Sequence, residues 1–488
     1  MTPLPHSDPH PVRPAPGEAP PGPRAAPAAS AAPTAPAAPG GRRADLLAAG
    51  AAALLVTAAA VIGAVIEDRY GTLHVQWPPL LAEWMPHTGP GTLPAFVVAV
   101  LAVLYGPTLA ARLSWRRLLA TSWAAALAWT WSLALVDGWQ RGVAGRLDTV
   151  HEYLRGVDRF HDIHAALRGY TAHILLDSPD NWPTHIAGHP PAAVLTFVGL
   201  DRAGLGGGAW AATFCILTGT SAVVAVLVTL RALDAERAAR AAAPFLVLTP
   251  AAIWVGASAD AYFAAVGAWA LALLTLSATR ATRAPRTAAL AAGLLLGWIV
   301  YLSYGLTLMV VPVAAILLLT RTARPLPLVA LGFLAVAVTF TLAGFRWWDA
   351  YELLVQRYYQ GVAKERPYAY WVWGNLANVV IAAGLASAAG IRRALAATPD
   401  ALGRLRPRRG GAVTGDGAVV LLVVALLLAV AAADLSGMSK AETERIWLPF
   451  TLWLPVTAAL LPARDHRRWL LAQAAVALAV NHLLLTFW

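Results

Sequence analysis

Carboxylates and imidazoles able to exchange protons gather in one stretch of this chain, between residues 137 and 207. Asp137, Asp148, Glu152, Asp158 and Asp162 come first, then His173, His185 and His189, with Trp182 in Asn181-Trp182-Pro183-Thr184-His185-Ile186-Ala187-Gly188-His189-Pro190-Pro191. Asp148 and Glu152 are four apart, so on a helix they share a face and repel. Repulsion combined with partial burial raises a carboxyl pKa, which suits a general base. Glu152 leads as that base, with Asp148 and Asp137 as the alternatives. The histidines, spaced by twelve and four, lack a neighbouring paired ligand set, so the expectation is no metal. Hydrogen bonding to a polar ligand, or packing beside Trp182, suits them better.

A second, cationic group lies far downstream. Lys440 and Arg445 alternate with Glu442 and Glu444 in Ser439-Lys440-Ala441-Glu442-Thr443-Glu444-Arg445, and Lys364 and Arg366 flank Glu365. The topology derived below places both sets outside, against the usual bias of Lys and Arg towards the cytoplasm. A phosphate would account for that, because the guanidinium fork matches phosphate oxygens. Pairing with the neighbouring glutamates, or snorkelling to headgroups, is the plainer account. Tyr358, Tyr359, Tyr368, Tyr370, Trp371 and Trp373 read as an aromatic belt at a membrane interface. Gly206-Gly207-Gly208 lacks the strand and helix context of a nucleotide-binding loop.

The elements that must position these residues are apolar helices. The chain has 488 residues, 58% hydrophobic and 13% charged, a mean hydropathy of +0.59, and repeated apolar runs of about twenty residues, the length a bilayer requires. An all-α, polytopic membrane protein follows, with the bilayer as its first partner. The net charge of +11 falls in short Arg clusters between apolar runs, so it sets topology and does not report a nucleic acid. The single cysteine, Cys215, excludes an intrachain disulfide. Residues 1–41, rich in Pro, Ala and Gly, are expected to be a disordered cytoplasmic tail, and residues 42–488 the membrane domain.

Arg clusters placed inside yield thirteen crossings, an outer C-terminus, and residues 138–207 as an extracytoplasmic loop. Pro191 to Leu200 is too short to cross, so it reads as a re-entrant half-helix. Phe160, Ile163, Leu167, Tyr170 and Ile174 recur at steps of three and four. That stripe predicts an interfacial helix on the outer membrane surface. The predicted spans hold almost no acids or bases, which argues against an ion-coupled transporter.

One order of features carries a resemblance. An acidic outer loop with Glu152-Tyr153 precedes Gly188-His189-Pro190-Pro191, then a helix ending in Arg, then a short helix ending in Ser258-Ala259-Asp260-Ala261. Over roughly residues 118–488 the chain resembles the type C integral membrane glycosyltransferases. The branch with protein O-mannosyltransferases, lipid A aminoarabinose transferases and actinobacterial polyprenyl-phosphate-dependent mannosyl and arabinosyl transferases is the most similar. The resemblance implies sugar transfer from a polyprenyl-phosphate donor to a cell-envelope acceptor at the outer face of the plasma membrane, without a cofactor. It implies an outer-loop acid as base: Glu152, Asp148 or Asp137. It also implies a donor phosphate near Arg445, Lys440, Arg366, Lys364 and His189. His185, Trp182, Tyr153 and Asp260 would then face the acceptor or the sugar. The alternative is a non-catalytic flippase or assembly scaffold for lipid-linked glycans.

Overall fold

The long apolar runs become helices because nothing in a bilayer competes for their backbone hydrogen bonds. A computed structural model describes residues 2, 41–405 and 412–487, so the tail expected over 1–41 lies outside the described residues apart from Thr2 and Gly41. Among the described residues, seven helices are long and apolar enough to cross a membrane: Gly41–Tyr70, Thr92–Arg112, Trp115–Asp137, Gly208–Ala232, Ala259–Ala278, Pro285–Leu302 and Asp416–Leu435. Two bent pairs bring the count to nine: Leu326–Leu342 with Trp347–Gln360, at 76°, and Tyr368–Ala383 with Leu385–Arg404, at 109°. The 109° bend falls at Gly384, whose φ of +83° a side chain rarely adopts. Leu54, Leu93, Leu101, Leu318 and Leu342 point outwards and are exposed, as apolar solvent permits and water does not. The fold is therefore all-α, with the helix lengths and apolar surface of a polytopic membrane protein.

Between hydrocarbon-facing helices the hydrophobic effect adds little, so close packing and buried polar links hold them together. Helices Pro285–Leu302 and Leu326–Leu342 approach backbone to backbone. A Cβ on Gly293 would strike the Val329 carbonyl, and one on Gly332 the Leu290 carbonyl. At the end of the molecule near the Arg clusters, Asp45 of the first helix is buried and accepts from Arg392 at 2.8 Å and from Arg393 at 2.7 and 2.9 Å. The only sheet among the described residues is a ribbon of Ala82–Trp84 and Leu484–Thr486, antiparallel, with Glu83 opposite Leu485. It ties the first loop to the far end of the chain.

The long loop folds as short helical turns whose aromatics are buried and continuous with the core of the helices, Tyr170 meeting Phe345 edge-on. Its pieces include Arg146–Asp148, Tyr153–Phe160, Ile163–Gly169, Tyr170–His173, Thr184–Gly188 and Ala192–Arg202. Asp162 caps Ile163–Gly169 by accepting from the Ala165 amide at 2.9 Å. Trp182 is the keystone. It stacks on Phe160, donates to the Tyr170 carbonyl at 2.9 Å, and carries the Arg159 guanidinium 3.6 Å from its ring centre. The expected interfacial stripe is corrected here: Phe160, Leu167, Tyr170 and Ile174 are buried against protein, not turned to lipid. The Tyr170 hydroxyl lies 2.8 Å from the Ile186 carbonyl and 2.9 Å from that of His189, so its single proton serves one or the other and holds the short helix before the Pro-Pro step.

Candidate functional site

Five residues singled out from sequence meet in one pocket, delivered by four separate turns or helix starts. Glu152 and Tyr153 begin the Tyr153–Phe160 turn, and His185 comes from Thr184–Gly188. Asp260 stands in the first turn of Ala259–Ala278, where Ser258 accepts from its amide at 3.2 Å. Arg445 belongs to the single turn Thr443–Ile446. Together with Arg146 they line a narrow recess that is partly open to solvent. His189 borders the site through Tyr153, ring centres 5.7 Å apart, and its Nδ1 sits 2.8 Å from the His185 carbonyl.

Arg445 is the hub. It donates from Nη1 to Asp260 at 2.5 Å and from Nη2 to Glu442 at 2.7 Å, and Nη2 lies 3.4 Å from His185 Nε2. Burial opposes its charge, but Asp260, Glu442 and Glu152 together hold it firmly protonated. A second hub stands beside it. Arg146 donates to Asp137 at 2.9 Å and to the Thr486 carbonyl at 2.5 Å, while His87 Nε2 approaches the other Asp137 oxygen at 2.6 Å. Burial lowers the Arg146 pKa, with Asp137 acting the other way. Asp137 therefore serves the pocket through Arg146, one residue removed from it.

Glu152 is almost wholly buried, and its Oε2 lies 3.1 Å from His185 Nδ1 without a well-aligned hydrogen bond. Burial alone would raise its pKa, yet His185, Arg445 and His189 more than offset that and hold it below the usual carboxylate value. The expectation of a raised pKa from Asp148 is thus overturned. Asp148 ends the turn Arg146–Asp148, whereas Glu152 is the extended residue before the next turn, so the two share no helix. Asp148 is half-exposed, pairs with Arg155 at 3.4 Å, and lines a separate surface hollow with Asp158 and Asp201. Burial takes the His189 pKa down to about 4, so that imidazole is neutral. Tyr153 is held as the neutral phenol by burial and by the nearby Asp260 and Glu152 charges.

The remaining cations lie elsewhere. Arg366 is buried and donates to the carbonyls of Leu73, at 3.0 Å, and Lys440, at 2.7 Å. Lys440 donates to Ala363 at 3.0 Å and stands over the Tyr359 ring. Lys364 is exposed. None of the three lines the pocket, and Trp182 is enclosed in the loop core, out of reach of a sugar. Arg146 is the charged pocket residue that sequence reasoning missed, and Glu444, which does not line the pocket, is a buried acid to which it gave no role. Arg146 sits among many arginines with no motif around it. Glu444 is buried, with one carboxylate oxygen unpartnered; burial, with Glu442 adding to it, raises its pKa to about 8.

The arrangement offers an ionised carboxylate, an imidazole in contact with it, and two guanidiniums whose charge is largely matched by Asp137, Asp260 and Glu442. Such a pocket accepts and orients a hydroxyl better than it captures an anion. Among the described residues no group of three or more His, Cys, Asp or Glu is arranged to hold a metal ion. No protein-family model matches the chain, and no curated protein matches it.

Proposed function

We propose that the chain is a membrane glycosyltransferase moving a sugar from a polyprenyl-phosphate donor to a hydroxyl of a cell-envelope acceptor, at the outer face of the plasma membrane. The observation that carries this reading is the meeting of Glu152, His185, Asp260 and Arg445, from distant segments, around one solvent-reaching pocket. In the reaction the acceptor hydroxyl donates to Glu152 while its oxygen attacks the anomeric carbon. The carbon–oxygen bond to the donor breaks, its electron pair leaves on polyprenyl phosphate, and the hydroxyl proton passes to the carboxylate. A weak base suffices, because the attacking oxygen becomes strongly acidic as its bond to carbon forms. One displacement inverts the anomeric centre.

A thirteen-crossing topology goes with this reading. The nine spans are joined by the shorter helices Tyr304–Thr320 and Leu448–Leu460, by the run from Glu236 to Val255, and by His466–Leu483. The pocket then opens on the side opposite the Arg clusters, the outside by charge bias.

The test is transfer of radiolabel from a panel of polyprenyl-phosphate sugars in membranes holding wild-type or Glu152→Gln protein. Label should reach an acceptor with wild type and fall by about 10²- to 10⁴-fold in the variant, the usual span for losing a general base. Full transfer by a folded Glu152→Gln protein would reject Glu152 as the base. No transfer from any donor, with binding of polyprenyl phosphate retained, would favour the flippase or scaffold reading.

A further inference from the structure

His87 has no part in the transfer step, yet both nitrogens of its ring are committed. Nδ1 lies 2.6 Å from the Met85 carbonyl, and Nε2 lies 2.6 Å from Asp137 Oδ1. A carbonyl only accepts, so Nδ1 carries a hydrogen. A second hydrogen must lie between Nε2 and Oδ1, because two bare lone pairs at that distance would repel. Arg146 donates to the other Asp137 oxygen at 2.9 Å and favours the charged carboxylate, so the second hydrogen belongs to the ring. His87 is therefore an imidazolium, donating from both nitrogens.

The chain clamps this ring in place. The His87 amide donates to the His482 carbonyl at 2.9 Å, and the Met85 amide to that of Leu483 at 3.0 Å, which extends the ribbon. A Cβ on Gly89 would strike the Val136 carbonyl and one on Gly91 that of Ser132, so the segment lies directly on the end of Trp115–Asp137. The side chains of His87, Asp137 and Arg146 are only 10%, 7% and 11% exposed. From the neighbouring elements, Arg141 sends Nε to the Asp137 carbonyl at 3.4 Å, and the His482 ring is turned to Leu478 and Thr92. Among the described residues Asp137 is the one carboxylate paired with His87 and Arg146.

Two cations thus share one carboxylate, whereas Arg445 is one cation between two, Asp260 and Glu442. Arg146 is anchored twice, on Asp137 and on the Thr486 carbonyl, and lines the recess with Glu152. A charge fixed in advance acts on negative charge that develops only during reaction.

We propose that His87 is a positioning residue: as an imidazolium it offsets Asp137, so that Arg146 is held at the recess wall with its charge available to the departing phosphate. The phosphate in this statement rests on the transferase reading; the placement of Arg146 does not.

The test uses the purified full-length protein and His87→Gln. In nitrogen NMR of histidine-labelled protein at neutral pH, the signals that His87→Gln removes should be those of a doubly protonated ring. Phenylglyoxal labelling of Arg146, read by peptide mass spectrometry against the exposed Arg346, should rise in the variant, and in wild type as the ring gives up its proton. In the transfer assay kcat should fall about 10²-fold in His87→Gln with KM little changed, the scale of a misplaced group. Wild-type transfer should decline as pH rises; His87→Gln should lack that decline, and His87→Lys, which keeps a charge, should recover part of the loss. A neutral ring, or equal labelling of Arg146 in both proteins, would overturn the proposal whether or not sugar moves. So would wild-type kcat and an unchanged pH profile in His87→Gln. No transfer by wild type, with a charged ring and labelling that rises in the variant, would reject the transferase reading while confirming that His87 places Arg146.

Discussion

Arg445→Met tests whether the hub holds the pocket together. The substitution keeps the unbranched stem of the side chain and removes a charge that Asp260 meets at 2.5 Å and Glu442 at 2.7 Å. Breaking a buried pair from one side costs about 3–5 kcal/mol, because the partner stays behind uncompensated. Glu442 is the more exposed of the two partners, at 19% against 7%, and still has Arg366 at 3.8 Å, so most of the loss falls on Asp260. The expectation is the lower end of that range, about 3 kcal/mol at neutral pH. Adding Asp260→Asn to Arg445→Met removes the stranded charge and should restore stability in part. Thermal unfolding of the purified proteins, followed by tryptophan fluorescence, should therefore rank wild type first, the double variant second and Arg445→Met last. Acid should narrow the gap between wild type and Arg445→Met, because protonation neutralises the orphaned carboxylates. A double variant less stable than the single, or Arg445→Met as stable as wild type, would refute the reasoning.

Two further outcomes concern packing and pH. Gly293→Val would push a side chain into the backbone of Leu326–Leu342, so the folded yield in membranes should collapse, whereas Gly403→Ala, with open space around its Cβ, should express normally. Glu444, raised from 4.5 to about 8, binds its proton more tightly in the folded protein. Its contribution to stability is therefore full below about 4.5 and declines as pH rises to about 8. His189, depressed from 6.5 to about 4, has the opposite slope, so its contribution grows as pH rises through that interval. Melting temperatures across pH should show Glu444→Gln flattening the fall on the alkaline side; an unchanged profile would count against a buried, protonated Glu444.

The amino-acid sequence by itself determined the class of molecule. Hydropathy is local, so apolar runs of about twenty residues declare their helices without any knowledge of neighbours. The same locality marked Pro191 to Leu200 as too short to cross, and the structure has an eleven-residue helix, Ala192–Arg202, there. Residue type also placed Glu152, His185 and Arg445 among the candidates, because clustered acids and bases are rare in such a chain, whereas Asp260 entered only through the resemblance.

Only the tertiary structure decided which candidates belong together. Arg445 meets Asp260 across 185 residues and His185 across 260, and no sequence pattern encodes pairings of that range. Asp148 and Glu152 separated because a turn, not a helix, joins them, so their spacing of four lost its meaning. Arg366 and Lys440 went to backbone carbonyls of neighbouring loops, and Trp182 into the core, because buried carbonyls need donors and aromatic rings need burial before a loop can present a site. Charge matching is a property of three-dimensional neighbours. That is why Arg445, picked out for a phosphate, is matched instead by Asp260 and Glu442.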